Sequence, residues 1–113
     1  MPYIETKTNV TISKEQETAL KTAFGKAIGI IPGKTEEWLM LGFSDSERMW
    51  FAGDDAPAVL LEVELLGSTT DAVYDALSAE LTKIVCDQLP VSPSRVYIKY
   101  EEIGKWGWNG GNF

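Results

Sequence analysis

The chain has 113 residues with 44% hydrophobic and 24% charged side chains, the usage of one folded globular domain. It contains no histidine and a single cysteine, Cys86, which excludes histidine-based triads, histidine-ligated metals, an intrachain disulfide and CxxC redox or zinc motifs. Ten basic against 17 acidic residues give a net charge of −7, spread over both halves, a poor match to phosphate backbones; no nucleic-acid partner is expected.

In chain order, residues 2–8 are rich in β-formers and predict a strand that begins at the amino end. Asn9 to Ile12 connects it to Ser13-Lys14-Glu15-Gln16, a capping box with Ser13 at the N-cap and Gln16 at N3. Leu20, Ala23, Phe24, Ala27, Ile28 and Ile31 then form one apolar helical stripe, stopped by Pro32-Gly33. Gly25 and Gly29 fall on this helix and read as close-packing positions, not a phosphate loop. Glu37 to Phe43 is nearly all apolar and predicts a strand buried on both faces. After a turn at 44–47, Arg48 to Ala52 predicts a return strand, which makes Trp50 a core or interface residue. Residues 53–57 are a loop by composition, and the carboxylates of Asp54-Asp55 imply no metal.

The pattern then recurs. Ala58 to Leu66 predicts a strand closed by Gly67, and Ser68 to Asp71 opens a second helix. Its stripe includes Val73, Ala76, Leu77, Leu81, Ile84 and Val85. Cys86 on this helix reads as a small buried hydrophobe. Pro90 and Pro93 end the helix, and Arg95 to Glu101 predicts another strand. The halves, about 2–56 and 57–113, align: Leu20 with Leu77, Phe24 with Leu81, Pro32 with Pro90, Trp38 with Val96. Two βαβ units imply an α/β (α+β) domain spanning 1–113, a four-stranded mixed sheet with two helices on one face. Leu39, Leu41, Phe43 and their neighbours supply apolar side chains to both faces of the sheet, so the open face is expected to be apolar and to be buried by self-association. No run approaches the roughly 20 apolar residues of a membrane helix, and the amino end shows no signal peptide. A cytoplasmic protein without membrane partners is the simplest expectation.

Pro2 is the first candidate for chemistry. Removal of Met1 would leave a secondary amine, and an apolar pocket or nearby cation lowers its pKa toward a working general base. The order of pieces along the chain resembles the macrophage migration inhibitory factor family, within the tautomerase superfamily. Those pieces are Pro2, Asn9-Val10, Gly33-Lys34, Met49-Trp50-Phe51-Ala52-Gly53, Pro57-Ala58, Leu66-Gly67, Arg95-Val96-Tyr97-Ile98 and Trp108-Asn109-Gly110 to Phe113.

The resemblance implies a homotrimer with a barrel-like core and sites between subunits. It implies cofactor-free keto–enol tautomerisation of phenylpyruvate-like α-keto acids, small anionic aromatic substrates, with Pro2 as base and then acid. Lys34 would hold the substrate carboxylate and keep the proline pKa low. The Leu66 backbone would meet the substrate's polar end, and Tyr97 would enter from the neighbouring subunit. Trp108 and Phe113 would form apolar walls, with Tyr3 and Trp38 at the rim.

The sequence departs from the family pattern in four places. Ala58-Val59-Leu60-Leu61 replaces a CxxC found in some members, so thiol–disulfide activity is unsupported. Lys99 stands where Asn is frequent and would add a second cation if it faces the pocket. Trp106 stands where a smaller aliphatic residue is common and would narrow the pocket. No counterpart of a receptor-binding Arg appears around Thr11-Ile12. A cytokine-like protein that binds a receptor, secreted without a signal peptide and with vestigial activity, is the alternative reading.

Overall fold

The computed structural model describes residues 1–113. Strand β1 (Pro2–Thr8) leads through Ser13 into helix α1 (Lys14–Ala27). The capping box is present in both directions: the Ser13 hydroxyl accepts from the Gln16 backbone N–H, and the Gln16 side chain accepts from the Ser13 N–H. A short 3-10 turn, Ile28–Ile30, finishes the helix before Pro32 and a left-handed Gly33. Strand β2 (Met40–Ser44) follows, then β3 (Val59–Leu66), helix α2 (Asp71–Gln88) capped by Thr70, and β4 (Val96–Ile103). Two short strands, β5 (Gly107–Trp108) and β6 (Gly111–Asn112), close the chain as a hairpin.

The main sheet has the order β2-β1-β3-β4. Its central pair, β1 and β3, is antiparallel with Glu5 opposite Glu62; the outer strands pair in parallel, Tyr3 with Met40 and Leu60 with Tyr97. Both helices lie on one face, over Ile4, Leu61, Val63 and Leu65 of the sheet and Leu20, Phe24, Leu77 and Leu81 of the helices, all fully buried. This is the mixed four-stranded α+β sheet that the repeat predicts.

Several expectations are corrected. Glu36–Trp38 is a 3-10 turn, so β2 begins at Met40. Within the chain β2 is not buried on both faces: Leu41 and Phe43 pack toward the helices, while Met40 is exposed and its face-mates are Gly42 and Ser44. Arg48–Ala52 forms no strand; one bridge, Phe51 to Asp54, is all that remains, and Trp50 is 72% exposed. The reason is that Arg95 reaches into this loop, donating to the carbonyls of Phe51, Ala56 and Pro57, so the loop backbone is held by a side chain. Gly29 has open space where a Cβ would stand and is not a packing position, whereas a Cβ at buried Gly25 would meet the Glu36 side chain. Ala76 is exposed, and Cys86 is only half-buried.

The open face of the sheet is also more polar than the sequence suggested. Glu62 bridges Lys7 at 2.8 Å and Lys99 at 3.2 Å. Beside it, Glu5 accepts from the Tyr3 hydroxyl at 2.5 Å and from Ser44 at 2.6 Å. Gly42 leaves the room: a Cβ there would stand against the Glu5 carboxylate and the Tyr3 hydroxyl.

Candidate active site at the amino end

The sheet brings three strand ends to one place. Parallel pairing sets the start of β2 on one side of the start of β1, and antiparallel pairing sets the end of β3 on its other side. Pro2 lies at this meeting point and is buried. The hairpin β5–β6 folds over the same end. Its turn, Asn109-Gly110, takes left-handed φ at both residues (51° and 80°), the requirement of a tight two-residue hairpin. The Phe113 N–H closes it onto the Trp106 carbonyl at 3.0 Å. The hairpin presents Trp108 to Trp38, edge to face with ring centroids 5.0 Å apart.

Beneath these rings is a cavity of about 920 Å³, lined in part by Met1, Pro2, Tyr3, Trp38, Trp106 and Trp108. Five of the residues singled out in the sequence therefore meet in one cavity. Phe113 stacks on Trp108 with ring centroids 6.3 Å apart. Lys34 and Leu66 sit next to it: the Lys34 ammonium donates to the Leu66 carbonyl at 2.9 Å, and the Leu66 N–H donates to the Met1 carbonyl at 3.0 Å. Tyr97 and Lys99 are not brought into this cavity. Tyr97 packs edge to face on Phe51, and Lys99 is engaged by Glu62 on the open sheet face.

The electrostatics favour a neutral amine. Burial holds the amino group of Met1 below its ordinary pKa, and the Lys34 charge and its hydrogen bond lower it further. Tyr3 is pushed the other way, up to about 12, chiefly because its hydroxyl donates to the Glu5 carboxylate, with burial and neighbouring acids adding to the effect. Tyr3 therefore stays a neutral phenol and is no base at neutral pH.

Sequence reasoning missed Glu37 and Glu64, which also line the cavity. Glu64 was findable in principle, since strand alternation places it on the face of Tyr3, its register partner. Glu37 was hidden by its assignment to a strand.

A four-stranded mixed sheet with two helices on one face, in this strand order, is a tautomerase-superfamily fold. A family model described as macrophage migration inhibitory factor matches residues 1–113, and the chain belongs to that family. Its relatives include the macrophage migration inhibitory factor of Meriones unguiculatus, 28% identical over 115 residues and covering all of this chain and 99% of that protein. The homolog from Trichuris trichiura is 29% identical over 115 residues and covers both chains completely. Among solved structures, Leishmania major MIF2 is 27% identical with a TM-score of 0.94, covering 100% of this chain and 97% of that one.

Proposed function

We propose that this chain is a cofactor-independent tautomerase of phenylpyruvate-like α-keto acids, with the amine of Pro2 as its base in the chain freed of Met1. The carrying observation is that the amino group of Met1 lies at an aromatic cavity, where burial and the adjacent Lys34 ammonium depress its pKa. In the chain freed of Met1, the Pro2 nitrogen, one residue along, would meet the same burial and the same ammonium.

The chemistry follows from these parts. The neutral Pro2 amine removes a proton from the carbon next to the keto group. That C–H electron pair becomes the new carbon–carbon double bond, and the carbonyl π pair moves to oxygen. The prolinium then returns a proton to that oxygen, so atoms and charge balance. The ammonium of Lys34 would hold the substrate carboxylate. Loss of Met1 frees the Leu66 N–H, which donates to the Met1 carbonyl at 3.0 Å, to receive a substrate oxygen.

The reading includes a homotrimer with sites between subunits. It is supported by exposed large apolar side chains at Met40, Trp50 and Tyr97, and by β2 and β4 standing at the two edges of the sheet. In such an assembly Tyr97 would serve the neighbouring copy's cavity.

The test is the pH–rate profile of phenylpyruvate tautomerisation by protein shown by intact mass to lack Met1. An ascending limb in kcat/KM well below the pKa of a free prolyl amine, absent in Pro2→Gly, supports the reading. No turnover at any pH would overturn it in favour of a receptor-binding role.

A further inference from the structure

The cavity's charge is the feature that its proposed chemistry does not use. Its lining side chains include two carboxylates, Glu37 and Glu64, and no ammonium or guanidinium; Lys34 lies beside it, occupied with the Leu66 carbonyl. On the same sheet face Glu62 is partnered by Lys7 and Lys99 and Glu5 by Tyr3 and Ser44, whereas Glu101, opposite Glu64 on β4, is exposed to solvent. Glu37 and Glu64 have neither a salt bridge nor a side-chain hydrogen bond. Glu64 is nonetheless half-buried in the cavity wall, so its charge is partly withdrawn from water without compensation within the chain.

The same wall holds three tryptophans. Trp38 meets Trp108 edge to face, Phe113 stacks on Trp108, and Trp106 lines the same cavity. Indole faces attract cations through the ring quadrupole, and an aromatic box with carboxylates beside it is a site for an organic ammonium. The opposite charge lies at the amino end, where the Lys34 ammonium is held on the Leu66 carbonyl, 2.9 Å away.

We propose that the cavity selects a zwitterionic ligand: an α-keto acid whose carboxylate faces Lys34 and whose distal end carries an ammonium, held by Trp38, Trp106 and Trp108 with Glu37 and Glu64. This rests on the tautomerase reading for the keto acid end, and the cationic end is the new element.

The experiment uses the full chain lacking Met1 and two unreactive probes, phenylpropionate and its para-aminomethyl derivative, with binding read from quenching of tryptophan fluorescence. The expected result is about tenfold tighter binding of the aminomethyl compound, shrinking with added salt. The double variant Glu37→Gln, Glu64→Gln should abolish that preference, while Glu15→Gln, which removes a charge from the exposed face of α1, should retain it. Equal or weaker binding of the aminomethyl probe, or a preference that survives the double variant, overturns the proposal. Phenylpyruvate turnover is measured on the same samples. Turnover without the preference leaves the tautomerase reading standing and removes this one; preference without turnover retains the cationic subsite and removes the tautomerase reading.

Discussion

The ammonium of Lys34, in the loop after α1, reaches the carbonyl of Leu66 at the end of β3, 2.9 Å away. This bond ties the exit of the first helix to the strand end that borders Pro2. It also fixes a positive charge beside the amino terminus. One side chain thus sets both local geometry and local potential.

Lys34→Ala removes both. We expect kcat/KM for phenylpyruvate to fall about 10- to 100-fold, the loss for a charge-assisted contact, mostly through KM. The Lys34 cation lowers the pKa of the Met1 amine, and the same influence on a freed Pro2 predicts that removing it shifts the ascending limb of the pH–rate profile to higher pH. An unchanged KM and an unmoved limb would show that the carboxylate and the amine are governed from elsewhere.

Pro2→Gly keeps an amine but loses the secondary amine's basicity and the rigid ring. A general base contributes about 10²- to 10⁴-fold, so activity should fall at least about a hundredfold. Pro2 is buried, so thermal melting should be recorded alongside. Turnover equal to wild type in a folded variant would exclude proline as the base.

Arg95 acts at a distance from this site. It donates to the carbonyls of Phe51, Ala56 and Pro57 at 2.8–3.1 Å and pairs with Asp54 at 3.0 Å. Asp54 is well exposed, so the ion pair adds little and the carbonyl contacts dominate. Arg95→Ala should cost about 2 kcal/mol in chemical denaturation and open residues 51–57 to limited proteolysis. Lysine at 95 should not restore protection, because a single ammonium cannot reproduce the planar fork. Cleavage at the wild-type rate would show that the loop holds itself.

Glu62 carries a pH dependence of stability. Its carboxyl is held below the usual value, first by the hydrogen bond from Lys7, opposed by burial, then by Lys99. A depressed acid pKa stabilises the fold above the unfolded-state value near 4.5, and that contribution disappears as pH falls through the folded value. Glu62→Gln should therefore lower the melting temperature at pH 7 and flatten its decline below about pH 4.5. Parallel acid-unfolding curves for both proteins would contradict this.

The helices were legible because their signals are local: the Ser13–Gln16 box and the stripes around Phe24 and Leu81 lie within a few turns of chain. So was the repeat that yields the sheet. The segment 48–52 was not, because what holds it is a guanidinium some 40 residues away. The sidedness of β2 was obscured by Gly42, which counts as apolar in a pattern but serves as space for Glu5 and Tyr3. Pro2, Tyr3, Trp38, Trp106 and Trp108, each singled out from the sequence, line one cavity. Glu64 needed the β1–β3 register, which no single strand contains.

The strand pairings of the two halves correspond in register. Tyr3 opposite Met40 becomes Leu60 opposite Tyr97, and Glu5 and Glu62 face each other across the centre, all displaced by 57 residues. The same displacement carries Pro2 onto Val59, whose nitrogen is locked in a peptide bond. Only one of the two equivalent strand starts can therefore ever offer a free amine. Joining two such units end to end halves the number of nucleophilic termini while leaving the scaffold symmetric, and cutting the chain just before residue 59 would restore the second.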